Sequence, residues 1–367
     1  MVDGLAEHFE LTVLGRNIEG GVIVSQSLSG TAKVIRGPGS RVAFAACVLR
    51  YLLSHGSSMD FVLVQGYGLA ALAANLVCRL KCLPSAMLVC SPVELYYRCR
   101  QKNPQPGKEF RTYELFTLVI LARLNAILGN LYVTLSEHLS ALVRSHGARQ
   151  VVLLPLYGVD TGVFAPSIHR SVFRSRLGLP AEGSIIFFSS RTAPEKDSHS
   201  VLLSLAALRR RGYDVWLLHR SGGFESLLDM AGSLNVADRV LASDAVDPRE
   251  DLADLYRASD VCVQASHAEG LGFSVLEAMA CGVPVVASAV GGLLETVMEP
   301  ETGWRFAPGD ALALADKIED VIKHPREASE RALRGREMVI QRYDQAMVFR
   351  RFSELVERET SAVRTKP

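Results

Sequence analysis

The 367-residue chain is predicted to be an α/β protein of two doubly wound, Rossmann-like domains facing a central crevice. Three observations carry that expectation. Strand-like runs alternate with helical ones along the chain, the pattern of parallel sheets covered on both faces. Several strand-like runs are followed at once by loops bearing glycine or paired charges, where open α/β sheets bind ligands. Near mid-chain the alternation is interrupted by GVDTGVFAPS, residues 158–167, which is loop-like by its glycines and proline.

In order, the first half reads as strands at ELTVL, AKVI, DFVLVQ, SAMLVC, LYVTL and VVLLP, with helices at Arg41–His55, Leu69–Leu80 and Phe110–Leu128. The second half reads as strands at SIIFFSS, DVWLLH, DRVLAS, DVCVQAS and PVVAS. Its helices are expected at His199–Arg211, Leu227–Leu234, Arg249–Arg257, Ser274–Cys281 and Ala311–Lys323. This divides the chain into a domain at 1–162, a second at 163–340 and a closing helix within 341–367.

Composition sets bounds. With 49% hydrophobic residues and 29 glycines the chain is long enough for two substantial cores. A formal net charge of +1 gives no reason to expect nucleic acid as a partner. The seven cysteines, at 47, 78, 82, 90, 99, 262 and 281, form no paired zinc spacing and read as reduced core thiols of a cytoplasmic protein. The opening MVDGLAEHFE lacks the basic and apolar segments of a secretory signal. The most apolar stretch, Phe116 to Leu135, is interrupted by Arg123, Asn125 and Asn130 and is expected to be a core helix running into a strand.

The segment from Ala265 to Glu295 carries the chemistry. Glu269 precedes a turn containing Gly270 and Gly272, and Glu277 lies in the helix expected to follow. The free N–H groups of that helix, around Phe273, Ser274 and Val275, would point back into the turn and make an anion site. Two carboxylates beside an anion are costly unless they bind hydroxyl groups, so the expected ligand has phosphates in the middle and polyols at both ends, as a nucleotide sugar has. Ser274 and Glu277 also read as a capping box. Arg191 and Lys196 follow the strand SIIFFSS, in position to meet the same ligand; in isolation they also read as a solvated pair with Glu195 as a weak partner. A rival signal is Gly66-Tyr-Gly68-Leu-Ala-Ala71 with Glu94 downstream, which satisfies a dinucleotide fingerprint but with a longer gap than the motif prefers.

These residues resemble the family 4 glycosyltransferases, retaining enzymes of GT-B architecture. The resemblance rests on the E-x7-E spacing of Glu269 and Glu277, LEAMACGVPVVAS, the GG-x-x-E of Gly291 to Glu295, SSRTAPEK with Arg191 and Lys196, and LPLYGVDTGVFAP. It implies that the second domain binds the nucleotide sugar, UDP-sugars being the favoured donors, and that the first faces the acceptor. Arg191, Lys196 and the helix start would carry the departing diphosphate, Glu269 the sugar hydroxyls and Glu277 the ribose diol. No enzymic nucleophile is needed, and with no D-x-D tripeptide no metal and no further cofactor is implied. The last helix would cross back to the first domain.

The chain also departs from the family. Ser91 stands where a histidine is usual, leaving Glu94, Tyr96 and Tyr97 as acceptor-side candidates. His219 and Arg220 replace a glycine-rich turn and are expected to contact donor phosphate or base. The first strand and its glycine loop are missing by this resemblance: either the true start lies upstream, or another chain, a partner or a second copy, covers the gap; Gly20-Gly21 could imitate the glycine pair, but no helix obviously follows them. Ser91 and the short start also suit a non-catalytic subunit binding a nucleotide sugar or a partner glycosyltransferase; the intact donor residues favour an enzyme. The basic loop from Arg98 to Arg111 is expected to close over an anionic acceptor or rest on a membrane surface, and the nucleobase is expected near Leu241 to Val246.

Overall fold

A computed structural model describes residues 1–17, 25–27, 32–102, 112–220, 222–243 and 250–364. The chain forms two compact units: residues 1–94, 111–158 and 345–367 make the first, residues 95–110 and 159–344 the second.

The order of elements up to the first division is α1 (Val2–Ala6), β1 (Leu11–Arg16), β2 (Ser25–Ser27), β3 (Ala32–Gly37), α2 (Arg41–His55), β4 (Val62–Gln65), α3 (Leu69–Leu80), β5 (Ser85–Val89), α4 (Val93–Lys102), α5 (Thr112–Leu128), β6 (Leu131–Thr134), α6 (Glu137–Ser145) and β7 (Val151–Leu153). The strands make two sheets and not one. β1 pairs parallel with β3, which pairs antiparallel with β2; β4, β5, β6 and β7 form a parallel sheet in that order. β5 and β6 are mainly apolar and buried along their length, as strands covered on both faces must be. Two helix starts are capped by a serine: Ser40 accepts from the Ala43 amide before α2, and Ser136 from the Leu139 amide before α6.

The second unit continues with α7 (Arg170–Arg176), β8 (Ser184–Phe188), α8 (Ser198–Arg210), β9 (Val215–His219), α9 (Phe224–Ser233), β10 (Val240–Ala242), α10 (Glu250–Ala258), β11 (Val261–Gln264), α11 (Phe273–Ala280), β12 (Val285–Ser288), α12 (Leu293–Thr296), β13 (Trp304–Phe306), α13 (Ala311–Lys323) and α14 (Pro325–Tyr343). Its sheet is parallel, in the order β10-β9-β8-β11-β12-β13. Ile186, Phe188, Val263 and Val286 from the strands pack with Leu202, Leu205, Leu314 and Ile318 from α8 and α13. The last helix, α15 (Gln345–Arg364), belongs to the first unit, where Phe352 meets Phe9 and Phe61 edge to face at 6.1 and 6.2 Å.

Several expectations need correction. β2, β13 and α14 were not foreseen, since SQS and WRF hold no apolar run that would mark a strand and α14 is polar over most of its length. The division falls between Gly158 and Val159 and not at 162/163, because Val159 bridges to Asp344 and Thr161 donates to the Asp344 carboxylate at 2.6 Å. Asp344 has extended backbone, with ψ 130°, so the closing helix starts at Gln345. α4 extends to Lys102, and α5 starts at Thr112; residues 103–111 of the basic loop lie outside the described residues, as do Gly20 and Gly21. Cys82 is exposed, so not all the thiols are in the core. Nor is α5 a core helix: Phe116 and Ile127 are 67% and 63% exposed. No helix among the described residues is long and apolar enough to cross a membrane.

Candidate functional site

The strand order of the second unit reverses between β8 and β11, β9 and β10 lying to one side and β12 and β13 to the other. At such a switch point the loops leaving the carboxyl ends of neighbouring strands part and leave room for a ligand. Lys196 comes from the loop after β8 and Glu269 from the loop after β11, and they meet there with Nζ 2.5 Å from Oε2.

Glu269 is buried and held on every side. Its carboxylate accepts from Gln264 Nε2 and Ser266 Oγ, each at 3.1 Å, from Tyr96 O–H at 3.3 Å and from the Gly270 amide at 3.3 Å. Gln264, the last residue of β11, organises the surroundings: its Oε1 accepts from Ser190 at 3.0 Å and Ser274 at 2.9 Å, and its Nε2 donates to Ser266 at 2.7 Å. Nothing in the sequence marked Gln264, Ser190 or Ser266; the available signal was a polar residue closing an otherwise apolar strand.

Glu195 is fully buried beside Lys196. Arg100 of α4 reaches both of its oxygens, Nη2 to Oε1 at 2.5 Å and Nε to Oε2 at 3.0 Å, while Arg191 Nη2 stands 4.0 Å from Oε1. Burial alone would raise this carboxyl, but the Arg100 hydrogen bonds, its backbone hydrogen bond and the charges of Arg100 and Arg191 hold it below its ordinary value. Arg191 itself is largely exposed. Glu195 is therefore not the weak surface partner the sequence suggested, and Arg100, expected in the basic loop, lies in α4 with its guanidinium on Glu195.

The turn before α11 is set by Gly272, whose φ of +90° is left-handed and whose added Cβ would lie 2.5 Å from Leu293 Cδ2. Gly272 is also the N-cap, with no side-chain bond; Ser274 turns to Gln264. The capping-box reading is thus overturned. The loop after β12 closes on the same turn, the Gly292 amide donating to the Glu269 carbonyl at 3.1 Å. A Cβ on Gly292 would lie 2.1 Å from the Gly270 carbonyl oxygen, although its φ of −66° suits any residue. Gly292→Ala is expected to cost about 3 kcal/mol in chemical denaturation, at the upper end for overpacking because the obstacle is backbone.

Glu277 is half-buried as a residue, its carboxyl being the enclosed end, and accepts from Tyr256 O–H at 2.9 Å. Burial pushes that carboxyl up to about 7, against the lowering effects of the Tyr256 bond and the Arg220 charge. The folded state therefore holds this proton more tightly than the unfolded chain. Its stabilising contribution, about 3 kcal/mol, is complete below the ordinary value of 4.5 and is lost as pH rises through about 7. Melting temperatures across that window should fall less for Glu277→Gln than for the parent.

Arg220 acts electrostatically on Glu277 and so belongs to this side of the site. His219 does not serve as expected: it is buried, its Nδ1 lies 3.1 Å from the Phe188 carbonyl, and its ring stacks on Phe188 and Phe224. It is enclosed because it closes β9, whose residues are buried but for Trp216. Of the nucleobase segment, residues 244–246 lie outside the described residues.

The acceptor-side candidates lie at the start of α4, Ser91 just before it and Glu94 and Tyr97 one turn apart within it. Ser91 and Glu94 belong to the first unit, where Glu94 Oε1 lies 2.9 Å from the buried His146 Nε2. That contact also removes Glu94 from the role the dinucleotide fingerprint gave it. Tyr97 belongs to the second unit, but it is its neighbour Tyr96 that reaches the site, through Glu269 and with Lys196 Nζ 5.9 Å from its ring centroid.

Residues 170–338 match the family described as Glycosyl transferases group 1. The match falls wholly within the second unit. Arg191, Lys196, Glu269, Gly270, Gly272 and Glu277 all lie within the matched residues. Relatives include a D-inositol 3-phosphate glycosyltransferase of Kineococcus radiotolerans, 37% identical over 48% of this chain and 43% of that protein. Another is a GDP-mannose-dependent alpha-(1-6)-phosphatidylinositol monomannoside mannosyltransferase of Mycolicibacterium smegmatis, 34% identical over 54% of each. The chain thus spans about half the length of these curated relatives. Among solved structures, sucrose-phosphate synthase from Thermosynechococcus elongatus superposes with a TM-score of 0.81 at 23% identity, covering 97% of this chain and 90% of that one. HepE of Anabaena, solved with UDP and glucose, gives 0.74 at 19% identity, covering 95% and 100%. These likenesses show the GT-B fold around the group 1 domain.

Proposed function

We propose that the chain is a retaining glycosyltransferase that moves a sugar from a nucleoside diphosphate sugar, a UDP-sugar by preference, to an acceptor hydroxyl. The observation that carries this reading is the pair Lys196 and Glu269 at the switch point, with Arg191 open beside it. In the reaction the bond from the anomeric carbon to the diphosphate breaks, the sugar passes through an oxocarbenium-like state, and the acceptor oxygen bonds to the same face as its proton passes to an oxygen of the leaving diphosphate. The leaving diphosphate gains charge, which Arg191, Lys196 and the start of α11 meet with fixed positive ends. Side chains supply that charge, so neither a metal nor a further cofactor enters the proposal, and the nucleotide sugar is a co-substrate.

Glu269 receives sugar hydroxyls as Lys196 turns to the phosphate, and Glu277 receives the ribose diol once ionised. Nucleotide binding should therefore strengthen as pH rises through about 7 and lose that dependence in Glu277→Gln. The acceptor is anionic or membrane-associated, which fits a protein peripheral to the inner membrane surface; the relatives named above are named for an inositol phosphate and a phosphatidylinositol mannoside. The outer edges of β1 and β4, unpaired to a strand among the described residues, are where a partner chain or a second copy would add.

The test is a thermal-shift screen of UDP, GDP, ADP and TDP and their sugars against the parent and the Arg191→Ala, Lys196→Ala double variant. A ligand at about 100 times its Kd stabilises by about 2.7 kcal/mol. Stabilisation of the parent alone by one nucleotide sugar is the expected result; a folded parent that responds to none would overturn the reading.

A further inference from the structure

α3 and α5 lie side by side in the first unit, tied by Asn75 Nδ2 to Asn125 Oδ1 at 2.8 Å and by Arg79 to the Ile127 carbonyl at 2.9 Å. The inner side of the pair is ordinary core, with Ala71, Ala74, Val77 and Ala122 buried. The outer side is not an ordinary surface. On α5, Tyr113, Phe116, Ile120, Leu124 and Ile127 recur at helical spacing, and all are exposed. On α3, Leu69, Leu76 and Leu80 do the same, Leu80 at 72%. A stripe of apolar residues at helical spacing is expected to be buried, and contiguous exposed apolar surface marks a site of association.

Charge selects the associate. Arg79, Lys81 and Arg123 are exposed on or just beyond these helices, whereas the acid of α5, Glu114, is half-buried and α3 has none. A second copy set against this face would bring cations toward cations. An anionic lipid surface would instead take the apolar stripe below its headgroups and the cations among them, the long arginine and lysine stems reaching outward from an apolar base.

We propose that the outer face of α3 and α5 seats the protein on an anionic membrane surface, with Phe116 and Ile120 inserted among the acyl chains. This does not depend on the donor chemistry, which lies in the other unit. It would bring the acceptor-side unit to a lipid-borne acceptor.

The test is flotation of the full chain with vesicles of phosphatidylcholine alone and of phosphatidylcholine with phosphatidylglycerol, for the parent, Phe116→Glu with Ile120→Glu, and Leu312→Glu as an exposed apolar control on α13. The parent should float with the anionic vesicles, less so at high salt. The double variant should bind them more than about tenfold more weakly, the least that withdrawing two large apolar side chains from lipid entails. The control should match the parent, and glycerol phosphate should not displace it. Circular dichroism and nucleotide binding should be unchanged in the double variant, since both residues are on the surface. The proposal is overturned if the folded parent floats with neither vesicle, if it floats equally with both, or if the double variant floats as the parent does. A parent that is dimeric by sedimentation and made monomeric by the double variant, without vesicle binding, would overturn it in favour of a contact between copies.

Discussion

Replacing Lys196 with alanine is expected to lower kcat/KM about 10²- to 10³-fold, the usual cost of removing one preorganised charge from a developing anion. Affinity for the nucleoside diphosphate should fall while that for the nucleoside alone does not, since the lysine serves the phosphates. The variant also strips a cation from the buried Glu269, which Gln264, Ser266, Tyr96 and the Gly270 amide continue to hold. The companion Lys196→Ala, Glu269→Gln separates the two effects: it should regain stability and not turnover. If Lys196→Ala kept kcat/KM within about threefold of the parent, well under that range, the pair would be only structural.

Arg100→Ala is expected to have the largest effect of any change outside the loops after the strands. It leaves Glu195 wholly enclosed with Arg191 as its nearest remaining cation. Removing one partner of a buried pair costs about 3–5 kcal/mol; here about 2–3 is expected, because Arg100 is one-third exposed and Arg191 has a short way to move. The second consequence follows from the first. Arg191, drawn onto Glu195, is withdrawn from the diphosphate, so binding of nucleoside diphosphate should weaken along with stability. Arg100→Ala with Glu195→Gln removes the unpaired charge and should restore both. Urea denaturation and calorimetric titration measure the two quantities. A loss of stability with undiminished nucleotide binding would show that Arg100 does nothing for Arg191.

Much of this was legible in the sequence where a regular period or a special backbone was required. Alternation of apolar runs located the strands from Leu11 to Ser288 that are four residues or longer, because a strand buried on both faces admits little but apolar side chains. The helices at Arg41–His55, Leu69–Leu80 and Ala311–Lys323 stand where their patterns placed them. The spacing from Glu269 to Glu277 marked the group 1 domain, since it joins a strand end to the first turns of a helix through Gly272, whose φ few other residues accept. Of the three-residue strands, β7 and β10 lie inside the apolar runs VVLLP and DRVLAS and were found, while β2 (SQS) and β13 (WRF) carry no such run.

What the sequence by itself determined, then, is the class of fold, the order of its long elements and the identity of the charged residues that follow the strands, because these depend on neighbours a few positions away. Partnership was decided only in three dimensions. Arg100 and Glu195 are 95 positions apart, Tyr96 and Glu269 173, and no local rule links them. The same holds for His219, which by type looked free to meet a phosphate and by position is a core residue, and for α5, which by composition belonged inside and by packing has one side open. Burial is a property of everything else that folds around a residue, and it sets whether a charge must be answered, a hydroxyl must donate or an apolar face still awaits a cover.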